Sequence, residues 1–200
     1  MYAIYSGRQK GVFYTWEECK KHTIGFKGAI FKKFSNLQDA ERFAKYGTTT
    51  TSKILVYTDG ACSRNGTNSA VAGIGIYFSK DDPRNISRRI IGKQTNNIAE
   101  LTAILEVSHI LKKEIENGCN IEICTDSKYS LLCLSTYGDK QHKLNWTKDI
   151  PNRELVKDVY NTYKKYPNVT FRYVPAHTNR DDPDSIGNYE ADKLATSALL

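Results

Sequence analysis

Hydrophobic and polar positions along the chain fall into two rhythms. Short β-branched or alternating runs predict strands, and stretches with apolar residues three and four apart predict helices. The sharpest run is Ile54-Leu55-Val56-Tyr57-Thr58-Asp59-Gly60, a buried strand that ends in a carboxylate and a glycine. After it, residues 70–78 read as a glycine-bearing strand and 86–91 as the third strand of an antiparallel meander. Asn96 is placed as the cap of a long helix on which Ile98, Leu101, Ile104, Leu105, Ser108 and Leu111 share a face. Residues 121–125 predict a strand closing on Asp126, 127–135 a helix, and 137–148 a polar irregular stretch. Residues 151–166 predict a helix with Pro151 near its first turn, 169–174 a fifth strand, and 186–200 a closing helix. Three strands followed by alternating helices and strands predict an α/β unit: a mixed sheet with helices packed on it.

Ahead of this lies a smaller pattern. Residues 2–5 and 11–14 read as strands, and Thr15 caps a helix with Glu18 completing a capping box. Residues 28–34 form a third strand, and Asn36, with Asp39, opens a helix over 37–46. The result is a ββαβα unit over residues 1–47, too small for more than a marginal core. In Phe31-Lys32-Lys33-Phe34, alternation puts Phe31 and Lys33 on one face and Lys32 and Phe34 on the other. Aromatics beside lysines can stack on sugars or bases while the ammonium groups meet phosphates. Trp16, Phe31 and Phe34 would equally serve as the small core. Residues 48–52, polar and uncharged, are placed as a short linker to a second domain over 53–200.

Composition narrows the classes. With 200 residues, 40% hydrophobic and 26% charged, the chain suits one ordinary domain plus a small one and is not a disordered protein. No apolar run is long enough to span a bilayer, so no membrane role is expected. Met1-Tyr2-Ala3-Ile4-Tyr5 follows neither a signal-peptide nor a presequence plan, so no targeting segment is evident and an intracellular setting, nucleus or cytoplasm, is expected. The five cysteines, odd in number and without a CxxC pair, read as reduced thiols. The net charge of +7 is concentrated at the front, where residues 1–47 hold nine Lys or Arg against four acids. That balance favours a polyanionic partner, nucleic acid before membrane.

Four acids stand out. Asp59 and Asp126 each end a β-branched strand, and Glu100 and Asp192 each lie in the first turns of a predicted helix. Singly, each reads as a cap or turn residue. Brought together, they would repel one another unless divalent cations neutralised them, and oxygen-only ligands suit Mg²⁺ or Mn²⁺ over zinc.

The segment Tyr2-Ala3-Ile4-Tyr5, Gly11-Val12-Phe13, Thr15-Trp16-Glu17-Glu18-Cys19, Phe26 and Phe31-Lys32-Lys33-Phe34 resembles the hybrid-binding domain at the N-terminus of eukaryotic type 1 ribonucleases H. The resemblance implies a grip on RNA/DNA hybrid or double-stranded RNA across the minor groove. Tyr2, Lys32 and Lys33 would contact the RNA side, and Trp16 and Phe31 would stack on the DNA backbone.

A second set of motifs follows: Thr58-Asp59-Gly60, Thr95-Asn96-Asn97-Ile98-Ala99-Glu100-Leu101, Thr125-Asp126-Ser127, Val174-Pro175-Ala176-His177, Gly187-Asn188 and Ala191-Asp192. These resemble the type 1 ribonuclease H catalytic domain over residues 53–197. The resemblance implies a five-stranded mixed sheet in the order 3-2-1-4-5 with helices on both faces. It implies a monomeric endoribonuclease that cuts the RNA strand of an RNA/DNA hybrid with two divalent cations, leaving 5′-phosphate and 3′-hydroxyl ends. Asp59 would bridge both ions, Asp192 would help hold one, and Glu100 and Asp126 the other, with His177 serving proton transfer or product release. Cys62, Ser63, Asn65 and Gly66 would line the RNA side, and Asn96 and Asn97 would reach minor-groove base edges. Lys93, Thr95 and Asn152 would take a DNA-strand phosphate.

Three departures from the family pattern stand in the chain. Lys93 replaces the usual Arg, residues 137–146 are shorter than the basic Trp-rich handle, and the segment from His177 to Gly187 is long and acidic. Two rivals stay open: a duplex-binding protein that kept the fold without cleavage, and a strand transferase of the same broad fold. The four acids argue against the first, and the His177 segment with the N-terminal unit against the second.

Overall fold

The computed structural model describes residues 1–47, 53–178 and 180–200; the expected linker at 48–52 lies outside the described residues. The chain divides into two compact units, Met1–Ser52 and Lys53–Leu200.

The first unit holds β1 (Tyr2–Ser6), β2 (Gly11–Phe13), α1 (Trp16–Thr23), β3 (Ile30–Lys33) and α2 (Leu37–Tyr46). Its sheet is antiparallel in the order β2-β1-β3. Thr15 accepts from the Glu18 N–H while the Glu18 carboxylate accepts from the Thr15 N–H at 3.1 Å, a reciprocal capping box. Asn36 accepts from the Asp39 N–H at 2.8 Å, and Asp39 answers the Asn36 side-chain amide instead of its backbone. Beneath α2 the core is Ala3, Ala40 and Phe43, with the Phe34 ring tilted against Phe43 at 5.3 Å between centroids. Phe31 stays out of that core because odd and even residues of β3 leave on opposite faces, and Trp16 of α1 packs against Phe31 outside it.

The second unit holds β4 (Ile54–Ser63), β5 (Val71–Tyr77), β6 (Ile86–Arg89), α3 (Asn96–Ile110), α4 (Lys112–Glu116), β7 (Ile121–Thr125), α5 (Lys128–Leu134), α6 (Thr136–Lys143), α7 (Arg153–Lys164), β8 (Val169–Tyr173) and α8 (Pro183–Ser197). The strand order is β6-β5-β4-β7-β8, antiparallel through β4, β5 and β6 and parallel through β4, β7 and β8. This is the expected 3-2-1-4-5 mixed sheet. The larger core gathers Val56, Ile74, Ile76 and Ile123 with Leu101, Ile104 and Val107 of α3 and Val156 and Val159 of α7. On the opposite face Tyr57, Cys124 and Val174 pack against Ala191 of α8.

Two glycines let α8 lie directly on β5. A Cβ on Gly75 would stand 1.9 Å from the Ala191 carbonyl, and one on Gly73 would stand 2.6 Å from the Ala198 methyl. Gly60 does the same for α3, since a Cβ there would sit 2.3 Å from the Glu100 backbone nitrogen.

Several expected boundaries shift. β4 runs on to Ser63, so Asp59 lies inside a strand, not at its end. The reason is a change of partner: pairing with β7 stops at Thr58, while pairing with β5 continues to Ser63. Thr95, not Asn96, caps α3, accepting from the Ile98 N–H. That helix is also apolar over most of its girth, because it is buried between the sheet and α7. Residues 136–143 form α6 where an irregular stretch was expected. There Gly138 admits the Cys133 carbonyl and the Tyr160 ring, and Asp139 accepts from Tyr160 and Lys164. Tertiary contact makes a helix that its polar pattern does not announce. Pro151 precedes α7, since Asn152 adopts a left-handed conformation (φ 57°). α8 starts at Pro183, a turn early, because Asp182 caps it by accepting from the Asp184 and Ser185 N–H groups.

Gly75→Ala should therefore force α8 off the sheet, since the obstructing atom is backbone. The expected loss of stability is about 1–3 kcal/mol or more by urea unfolding. An unchanged midpoint would contradict the close packing.

Candidate active site and nucleic-acid surfaces

Asp59, Glu100 and Asp126 meet at one end of the sheet, each offering a carboxylate oxygen within 4.8 Å of the others. Asp59 comes from the middle of β4, and Asp126 follows the last residue of the parallel neighbour β7. Glu100 comes from the second turn of α3, which the bare Gly60 allows to press on β4. Asp192 is the tenth residue of α8, not in its first turns. It is not one of the three acids whose oxygens lie within 4.8 Å of one another, but α8 lies flat on β5 and brings it near enough to raise the Asp59 pKa by charge and by hydrogen bond.

The cluster is electrostatically unfavourable on its own. Burial first, then the Asp126 and Asp192 charges, push Asp59 up to about 7 from an ordinary value near 3.8. Burial, then Asp59 and Asp126, hold Glu100 well above the usual carboxylate range. Asp59 accepts from the Gly60 N–H at 2.8 Å, and Asp126 accepts from the Asn188 side-chain amide at 3.0 Å. Glu100 Oε2 and Asn188 Oδ1 are buried with no hydrogen-bond partner. Buried, converging carboxylates with an unanswered oxygen fit hard divalent cations and could hold them.

A cleft of about 500 Å³ opens beside Asp192 and is lined by Asn188, His177, Thr178, Arg180 and Tyr189. His177 is exposed and left-handed (φ 49°) on the segment between β8 and α8. Cys62 and Ser63 are the last residues of β4, and Asn65 and Gly66 (φ 84°) form the exposed turn after it. The Thr95 hydroxyl is engaged as a cap, with Asn96 and Asn97 opening α3. Lys93 and Asn152 share the lining of a second cleft with Asp149, Arg153 and Glu154. There the Asn152 amide donates to the Tyr129 hydroxyl at 3.3 Å.

In the N-terminal unit, Trp16 stacks obliquely between Tyr2 (5.4 Å between centroids) and Phe31 (5.6 Å). Lys33 lies over the Tyr2 ring on this surface, whereas Lys32 lies over Phe34. Tyr2, Trp16, Phe31 and Lys33 are thus brought together and Lys32 is turned away from them.

Residues 51–199 match the sequence pattern of the RNase H family. The chain belongs to the ribonuclease H family. It is accordingly an enzyme of the class that degrades RNA in RNA/DNA hybrids. Residues 1–44 match the ribonuclease H1 N-terminal domain. Mouse ribonuclease H1 is 26% identical, over 97% of this chain and 87% of its own length. Ribonuclease H of the fission yeast Schizosaccharomyces pombe is 29% identical, over 97% of this chain and 95% of its own. Ribonuclease H of Rickettsia canadensis is 36% identical over 72% of this chain and 87% of its own. Among solved structures, the PFV RNase H domain has the same fold, with a TM-score of 0.55 and 22% identity over 72% of this chain and 93% of that one. No helix among the described residues is long and apolar enough to cross a membrane.

Asn188 escaped assignment from the sequence, although it stood in the quoted Gly187-Asn188 pair. An amide one helical turn before Asp192 was the available signal, since that spacing puts both on one helix face.

The raised Asp59 pKa carries a stability prediction. The fold prefers protonated Asp59, so its contribution is complete below about pH 4 and is lost as pH rises through about 7. The metal-free ribonuclease H should melt lower at pH 8 than at pH 5, with Asp59→Asn flattening that slope and Mg²⁺ restoring stability mainly at pH 8. Thermal melts of both proteins check this; an equal slope in Asp59→Asn would refute the Asp59 origin.

Proposed function

We propose that this ribonuclease H hydrolyses internal phosphodiesters of the RNA strand in RNA/DNA hybrids by a two-metal displacement, leaving 5′-phosphate and 3′-hydroxyl ends. The observation that carries this is the convergence of Asp59, Glu100 and Asp126, with Glu100 Oε2 buried and unanswered and the Asp192 charge raising the Asp59 pKa. Asp59, Glu100, Asp126 and Asp192 would hold two divalent cations, Mg²⁺ or Mn²⁺. When bound, the cations supply an activated water and neutralise charge at the scissile phosphate.

The chain's own groups do the rest. Asn188 orients Asp126 through its amide. His177, which lines the same cleft as Asp192, carries a proton at the reacting oxygens or eases product departure. Cys62, Ser63, Asn65 and Gly66 read the RNA strand through its 2′-hydroxyls, and Asn96 and Asn97 reach base edges. Lys93, Thr95 and Asn152 seat a phosphate of the DNA strand, with Lys93 as a point charge in place of a guanidinium fork. The N-terminal domain, residues 1–47, is a hybrid- and double-stranded-RNA-binding module that presents Tyr2, Trp16, Phe31 and Lys33 as a stacking and phosphate-meeting surface, while Lys32 lies over Phe34, turned away from them. The enzyme acts as a monomer with all five cysteines as free thiols, suiting a reducing compartment.

Cleavage of an RNA strand paired with DNA, beside duplex RNA, duplex DNA and single-stranded RNA, tests this directly. Cutting of the hybrid alone, stopped by EDTA, is expected. Asp126→Asn should keep its fold and lose on the order of a hundredfold or more in kcat, about 3 kcal/mol of barrier. Undiminished turnover would remove Asp126 from the site. Trp16→Ala should raise KM about tenfold with little change in kcat, since stacking contributes about 1–3 kcal/mol per base. An unchanged KM would retire the aromatic surface.

A further inference from the structure

Beneath the acid cluster lies a polar network that cleavage chemistry does not use. Arg172 of β8 donates through both terminal nitrogens to Asp184, the second residue of α8, at 2.7 Å for Nη2 to Oδ1. Its Nε donates to Glu122 of β7 at 2.8 Å, and Glu122 also meets Lys53. Asp184 accepts a third bond, from the Tyr57 hydroxyl of β4 at 2.9 Å. The partners sit in register below the site. Tyr57 is two residues before Asp59 on its strand, and Arg172 pairs with Cys124, two residues before Asp126. Each is therefore on the strand face that α8 covers.

Arg172 and Asp184 also bracket the segment from 174 to 182, which carries His177. Arg172 stands one residue before β8 ends, and Asp184 one residue after α8 begins. A bond between them closes that segment at its base, so its two ends are fixed and fewer conformations remain open to what lies between. The fixing continues upward. Ser185, next to Asp184, donates to Asp182 at 2.7 Å and accepts from the hydroxyl of Thr178, the neighbour of His177. A contiguous run of bonds thus leads from the strands, through the first turn of α8, to the residue beside His177.

A lone surface ion pair would carry little weight, and both side chains here are about one-third exposed. This pair differs in being two-pronged, in meeting a third donor from a buried tyrosine, and in spanning a segment that bears a proposed functional group.

We propose that Asp184, clamped by Arg172 and Tyr57, is a positioning residue that holds His177 at the cleft beside Asp192. The proposal rests on the reading of His177 as a participant in turnover. Asp192 does not depend on the clamp, because α8 is seated independently by Gly73 and Gly75.

The test is a double-mutant cycle on the full chain with RNA/DNA hybrid, using His177→Ala, Asp184→Ala and both together. Asp184→Ala should lower kcat about tenfold with KM nearly unchanged, as expected for a displaced catalytic group. The double variant should fall no further than His177→Ala alone. Arg172→Met should match Asp184→Ala, and Asp184→Glu should recover part of the loss. Asp82→Ala, which breaks the similarly two-pronged Asp82–Arg84 pair elsewhere on the surface, should leave kcat alone. Amide exchange at His177 and Thr178 should quicken in Asp184→Ala while the melting of α8 against the sheet stays cooperative. If His177→Ala itself leaves kcat unchanged, the reading of His177 fails. If His177→Ala lowers kcat and Asp184→Ala does not, or the two losses multiply, the clamp proposal fails.

Discussion

The structure depends on two helices lying against bare backbone on adjacent strands. α3 touches β4 at Gly60 and α8 touches β5 at Gly75, each at a distance where a methyl group would overlap main-chain atoms. Side chains between these layers would hold the helices several ångströms farther away, and Glu100 and Asp192 would then stand off from Asp59. The glycines thus do more than permit packing. They set the spacing at which carboxylates from two helices and two strands can share one small volume, and packed interiors give little at such contacts.

That spacing has an electrostatic cost, carried by the same residues. Asp59 and Glu100 are both buried and both shifted toward the neutral form, so the fold by itself favours protons at this end of the sheet. A site that disfavours its own charge is matched to a cationic occupant, since neutralisation removes the repulsion and the desolvation penalty together. Self-repulsion and ligand preference are here one property. The hydrogen bonds that are present, from Gly60 to Asp59 and from Asn188 to Asp126, orient two of the carboxylates without neutralising them.

How much of this could be read along the chain follows from which interactions are local. The β-branched runs around Asp59 and Asp126 announce their strands because burial on both faces leaves a continuous apolar signature. The Thr15–Glu18 capping box was legible because it is closed within four residues. The extension of β4 to Ser63 was not, because it arises from β5 continuing to pair after β7 has stopped. α6 was illegible too, since its helix depends on Gly138 meeting Tyr160 and Asp139 meeting Lys164, partners more than twenty residues away. Asp192 was misplaced along its helix, in the first turns where the structure makes it the tenth residue. The Asp182-Pro183 start lay hidden in a stretch that read as an acidic loop.

That stretch shows why charge counts need partners before they imply a field. Asp181, Asp182 and Asp184 read together as a negative segment beside His177. In the structure Asp182 is engaged by the backbone N–H groups of the helix it caps, and both its pKa and that of Asp184 are lowered. For Asp184 the first cause is the Arg172 guanidinium, which answers its charge directly. Asp181 lines the cleft together with Arg180. Part of the segment's negative charge is therefore answered locally. Asp182 acts on the fold through geometry, by fixing where α8 begins, whereas a long-range potential would be screened by salt within about 10 Å.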